Sequence, residues 1–251
     1  MTAVTTARRR PVFVALVTYT LRACLPRKRW VAALIPAAAA VLFGFIASTA
    51  DETAVRAFAG VAAVALFGLV MPVTCLVIGD AVLGAEVRSG TFSFTWMSPV
   101  PTWQIAVGRW LGGTIAAGGA LTIAFVLAAV VAGAPESAGS ITIAALFGSQ
   151  AYMAVFLAIG VITKRAAVWS LAFVFLVERL LGQALTGIAQ LSPSWEARAA
   201  FIGLSDGPAD LVREGMPYGT GALIRLCMIS AVALILTSAK LRSLKLTGSS
   251  D

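Results

Sequence analysis

Residues 58–79 read FAGVAAVALFGLVMPVTCLVIG, an uninterrupted apolar run without one charged side chain. A helix needs about 20 such residues to cross the hydrocarbon core of a bilayer, so this run predicts a membrane span. The rest of the chain points the same way. Of its 251 residues, 59% are hydrophobic and 12% are charged, whereas a soluble domain is about 25% charged. Mean hydropathy is +0.93. Six segments have the length and composition of a span: Trp30–Thr49, Phe58–Gly79, Ile105–Ala132, Ile141–Thr163, Ala167–Ala189 and Gly219–Ala239. The predicted fold class is an all-α integral membrane protein with six transmembrane helices. A basic N-terminal segment occupies 1–29, the transmembrane domain 30–245, and a short tail 246–251.

Within the N-terminal segment, Pro11–Leu25 is apolar but too short to span, and it ends in the basic cluster PRKRW with an interfacial tryptophan. That pattern suits a helix lying in the membrane surface. The RRR at 8–10, the apolar residues after it and ASTA before Asp51 also resemble a secretory leader cleaved after Ala50. The run after PRKRW is about 20 residues, longer than the 7–15 of a signal h-region, which favours a retained first span.

Charge placement gives the orientation. With the N-terminus cytoplasmic, 14 of the 19 basic residues fall on the inner side, three on the outer side and two, Arg179 and Arg225, inside spans. Seven of the 11 acidic residues fall outside. This obeys the positive-inside rule, predicts cytoplasmic N- and C-termini, and turns the net charge of +8 into a topology signal with no case for nucleic acid. The longest inner connection is then 80–104 and the longest outer one 190–218.

Several chemistries are excluded by residue type. The chain has no histidine, which removes His-based metal sites and Ser/His or Cys/His catalysis within it. Cys24, Cys75 and Cys227 lie in apolar segments and suit small apolar fillers. No catalytic residue, metal site or cofactor site is expected. There is no GxxxxGK[ST] and no Gly-Lys dipeptide, so no P-loop; if ATP powers the protein, another polypeptide must bind it. Gly79-Asp80 lacks the companions of an intramembrane aspartyl protease.

What remains are three features. Glu178, Arg179 and Arg225 are charges within spans, each costing about 2.5–3.5 kcal/mol on insertion scales unless paired or wetted; they are expected either to form a buried pair, for example Glu178 with Arg225, or to line a path. Gly108, Gly112-Gly113 and Gly118-Gly119 are small residues suited to close helix approach, and Gly68 with Pro72 suits a kink. Finally, residues 84–99, GAEVRSGTFSFTWMSP, form a punctuated inner segment. Gly90-Thr91 starts and Ser98-Pro99 stops a short amphipathic helix whose Phe92, Trp96 and Pro99 share one edge.

The ordered set Glu86-x-Arg88-x-Gly90-Thr91-x6-Ser98-Pro99-Val100-x4-Ile105-x2-Gly108-Arg109-x-Leu111-Gly112 resembles the E-R-x-x-G-T…S-P-V-x-R-x-x-I-x-x-G-K-x-L loop of type-2 ATP-binding cassette (ABC) exporter permeases. Leu191-Ser192-Pro193…Phe201-x-Gly203-x2-Asp206 is similar to an outer segment of several such proteins. The family's leucine pair is replaced here by Phe94-Thr95-Trp96, its arginine by Thr102 and its lysine by Arg109. The resemblance implies a coupling helix, with Glu86, Arg88, Gly90, Thr91, Phe94, Trp96, Ser98 and Pro99 serving a cytoplasmic ABC ATPase that carries ATP and Mg. It also implies a second permease subunit, a bacterial cytoplasmic membrane, and export of a drug, lipid or other amphipathic compound. A self-sufficient secondary transporter or channel is the alternative, since three plus three spans suit an inverted repeat.

Overall fold

The computed structural model describes residues 12–24, 30–84, 100–163, 165–205, 207–212 and 214–243. Every regular element among them is helical. This is what lipid demands, since a helix satisfies its own backbone donors and acceptors. In chain order the helices are α1 (Val12–Cys24), α2 (Trp30–Ser48), α3 (Ala54–Val82), α4 (Thr102–Val131), α5 (Ala138–Ile162), α6 (Ala166–Ala184), α7 (Pro193–Leu204) and α8 (Thr220–Ser243). Single-turn helices at Pro135–Ser137, Thr186–Ala189 and Ala209–Leu211 lie in the connections. Five helices are long and apolar enough to cross a membrane: α3, α4, α5 with its leading turn, α6 and α8. The chain is a membrane protein of helical-bundle type.

The expected spans at 58, 105, 141 and 219 are longer in the structure. α3 and α4 begin four and three residues early, because Ala54 and Thr102 follow extended residues that can start a helix, Thr53 and Pro101. α8 runs on to Ser243. The fifth span is shorter than Ala167–Ala189: the backbone turns extended at Leu185, and Thr186–Ala189 is a separate turn.

α5 is the central helix, packed by α3, α4, α6, α7 and α8. Its approach to α4 uses small residues. A Cβ at Gly118 would sit 2.9 Å from the Ser149 hydroxyl, and the Trp110 indole N–H donates to the Gln150 carbonyl at 2.9 Å. α1 lies along the first third of α4. Leu16 fills the space at Gly108, and a Cβ at Gly112 would be 2.6 Å from Thr20 Cβ. Thr20 is fully buried. Gly108, Gly112, Gly113 and Gly118 therefore serve close packing within one chain, and the surface-helix candidate is docked by the first two.

A second cluster is aromatic. Phe67 of α3 meets Phe125 of α4 edge-on at 5.6 Å and Phe201 of α7 at 5.6 Å, and Phe58 meets Phe201 at 6.1 Å. Phe201 belongs to the stretch expected to be an outer loop, yet it is fully buried. α7 is part of the core.

The glycine contacts make a direct test. Gly112→Leu should push α1 off α4 and lower stability by about 1–3 kcal/mol, measured by thermal unfolding in detergent and by faster proteolysis within α1. Gly119→Ala, at a site with no neighbour within 4 Å, should change neither.

Candidate functional site

Two helices open into wide turns at the same place. Residues Ala62–Val70 of α3 and Phe173–Leu181 of α6 are π-helical: Met71 N–H reaches back five residues to Leu66 O, and Gly182 N–H to Val177 O. Such turns are rare and recur at functional sites, because they displace carbonyls from the regular ladder. Here side chains take the displaced groups. Pro72 has no N–H to give to Gly68, four residues back, and the Gly68 carbonyl accepts a hydrogen bond from Arg179. The guanidinium lies where a Cβ on Gly68 would project, so any larger residue would make the Arg179 side chain shift. On α6, the Glu178 carbonyl accepts from the Trp195 indole N–H at 3.2 Å, and Gly182 leaves the space that this indole occupies.

The Glu178 carboxylate points the other way. It is 1% exposed. One oxygen accepts from the Tyr152 hydroxyl of α5 at 2.5 Å. The other accepts from the Ser192 hydroxyl at 2.7 Å and, at 3.4 Å, from the backbone N–H of Ser194. Ser192 and Ser194 hydroxyls are 3.0 Å apart, and Ser192 caps α7, its oxygen accepting from Trp195 N–H at 3.5 Å. The acid thus sits at the N-terminus of α7, where unsatisfied N–H groups and the helix dipole favour negative charge. Glu178 and Arg179, adjacent in sequence, serve different helices, as their roughly 100° separation around α6 requires.

Arg225 of α8 does not meet Glu178. Its counter-ion is Glu196, one turn beyond the cap of α7, at 3.7 Å. The expected Glu178–Arg225 pair is thus replaced by Glu196–Arg225. Glu196 falls in the stretch expected to be an outer loop, which hides it as a partner; its position in the first turn of a serine-capped, proline-started helix is the available signal. Arg198, on the same helix, donates to the Leu211 carbonyl and lies 5.2 Å from the Trp195 ring. Burial lowers the pKa of its guanidinium, and the nearby Arg179 charge adds to that.

The start of α7 lies inside the bundle. Glu178 is six residues before the end of α6, so a cap bonded to it begins α7 roughly 9 Å back along that helix. α7 then returns antiparallel to α8, with Gly219 N–H donating to Ala199 O at 3.0 Å near its far end.

At the other end of the molecule, Arg109 of α4 is 1% exposed. It donates to Val82 O of α3 at 3.0 Å and lies over the Tyr19 ring of α1 at 5.0 Å. This one side chain ties three helices beside the 85–99 connection. Glu86, Arg88, Gly90, Thr91, Phe94, Trp96, Ser98 and Pro99 lie outside the described residues, as does Asp206. Cys24, Cys75 and Cys227 are free thiols, the first two buried, and Cys227 Sγ lies 3.7 Å from Gln150 Nε2. Among the described residues no cluster of His, Cys, Asp or Glu has the make-up of a metal site.

No protein-family model and no characterised protein matches the chain. The polar centre is testable by itself. Tyr152→Phe removes one donor from a buried acid and should cost about 1–3 kcal/mol in unfolding measurements. In double-mutant cycles, Glu196→Gln with Arg225→Gln should show coupling of at least about 0.5 kcal/mol, whereas Glu178→Gln with Arg225→Gln should be additive.

Proposed function

We propose that the chain is the permease subunit of an ATP-driven exporter of the type-2 ABC kind. Two copies, or this chain and a homologous one, form the substrate path, and a separate ABC ATPase binds ATP and Mg below them. The ordered run from Glu86 to Gly112, placed between the second and third spans, carries this reading. The membrane-bundle fold is compatible with it. So is the Arg109 tie, which joins Val82 and Tyr19 to the stem of α4: a push on 85–99 would move α1, α3 and α4 together. ATP can shift a membrane dimer only through an element whose contacts differ between its two states, and a docked 84–99 helix held on a rigid stem supplies one.

In this reading α2 is the sixth span. Its 19 residues give a helix of about 28 Å, close to the thickness of the hydrocarbon core. The termini face the cytoplasm of a bacterial cell and the protein resides in the cytoplasmic membrane. The transported compound is a drug, a lipid or another amphipathic molecule. An outward-facing apolar groove of about 440 Å³ between α5 and α8, lined by Phe147, Ile224, Met228 and their neighbours, suits such a molecule entering from the bilayer.

A self-sufficient secondary transporter is the second reading. The observation that favours it is the Glu178 carboxylate, buried in the bundle among hydroxyl donors, the kind of group that carries protons or ions in coupled transport.

The test separates the two. Affinity-tagged chain extracted from its native membrane should bring down a P-loop ATPase, and Glu86→Ala with Trp96→Ala should abolish that association while the thermal unfolding profile stays unchanged. Full association and transport in the double mutant would refute the coupling assignment. Ion-gradient-driven uptake by the purified chain alone in proteoliposomes would establish the second reading.

A further inference from the structure

The two buried acids among the described residues are treated differently by their surroundings. Glu178 has both oxygens hydrogen-bonded. Glu196, 0% exposed, has neither: no donor reaches Oε1 or Oε2 among the described residues. Its counter-ion, Arg225, is 3.7 Å away and 37% exposed, beyond hydrogen-bond reach. A dry carboxylate without donors favours its neutral form.

The surroundings of Glu196 hold little else that carries charge. α5, packed along α7, has no charged residue, and its Tyr152 is engaged by Glu178. The wide turn of α3 that packs on α7 has none. On α7 itself, Arg198 turns to Leu211 O, and Asp210 in the following turn pairs with Arg56 at 3.2 Å. From α8, Arg225 faces Glu196, whereas Lys240 and Arg242 lie four turns further along that helix.

We propose that Glu196 is a proton-binding site that controls how α7 is held to α8. Ionised, it keeps Arg225 against α7. Protonated by solvent, with the proton on a carboxylate oxygen, it releases the guanidinium, and the deep end of the α7–α8 contact opens. The far end stays fixed, because Gly203 packs directly on the Gly219 backbone and Ala199 O holds Gly219 N–H. The helix therefore has a hinge at one end and a proton-sensitive catch at the other. Burial raises the Glu196 pKa from 4.5 to about 7, with Arg225 pulling it the other way. The acid is thus protonated below neutrality and ionised above it, so the catch releases on acidification. This inference concerns the chain alone and holds whether or not an ATPase drives it.

The experiment uses the full chain in lipid nanodiscs, titrated from about pH 5 to pH 9 while the carboxylic acid C=O stretch is followed by infrared difference spectroscopy. A protonated carboxyl should titrate near neutrality in the wild type and vanish from the difference spectrum in Glu196→Gln. In Arg225→Gln the midpoint should move up, because the opposing positive charge is gone. Hydrogen exchange of 193–205, corrected for intrinsic rates, should rise on acidification in the wild type and be high at both extremes in Glu196→Gln. A neutral-range band that survives in Glu196→Gln, or a midpoint unmoved in Arg225→Gln, would overturn the proposal. So would exchange in 193–205 that ignores pH in the wild type.

Discussion

A carbonyl without an N–H partner is costly anywhere and more so in lipid, and the bond from Arg179 to Gly68 O solves that problem for two helices together. α3 is interrupted by Pro72, which cannot donate to the turn below it. α6 carries a guanidinium that no lipid chain can solvate. Each defect satisfies the other, and the wide turns of both helices bring them to the same depth. Loss of either partner would remove the one side-chain bond that joins the two irregular stretches, at a place only partly shielded from the surroundings.

The same turn of α6 positions the rest of the centre. Displacing the Glu178 carbonyl presents it to Trp195, and rotating the side chain inward presents the carboxylate to Tyr152 and Ser192. These bonds fix where α7 begins. Once its N-terminus is anchored at Glu178, Phe201 falls within reach of Phe58 and Phe67, and Gly203 meets the backbone of Gly219. A segment with two charges and a proline becomes core because its N-terminus is hydrogen-bonded at Glu178 and its apolar face packs on α3 and α5.

Much of this was legible in the sequence. Which segments are long and apolar enough to cross follows from hydropathy, because lipid sets a minimum length for a crossing, but the helix ends do not. Gly108, Gly112 and Gly118 of α4 pointed to close packing, whereas Gly68 with Pro72 pointed to a kink and the structure has a π-helical stretch there. Three things were not legible. The π turns have no residue signature beyond the proline, since they are stabilised by distant partners. α7 looked like a loop because Glu196 and Arg198 spoil its apolar pattern over PSWEARAAFIGL, and only tertiary contacts to Arg225 and Leu211 offset their burial. The pairing of Arg225 followed the wrong acid for the same reason: with 193–204 taken as outer loop, Glu178 was the one acid left inside a span.

The polar groups divide the bundle into two ends with different mechanics. Near the 85–99 connection, Arg109 joins α1, α3 and α4 through a carbonyl and an aromatic face. Near α7 the joint is a carboxylate against a partly exposed guanidinium at 3.7 Å, a contact that one proton cancels. Motion imposed at the first end would be transmitted rigidly along α4 and α3, whereas the second can yield. In a bundle whose helices otherwise meet mostly through apolar and aromatic packing, the Glu196–Arg225 contact is the joint that the proposed protonation would open.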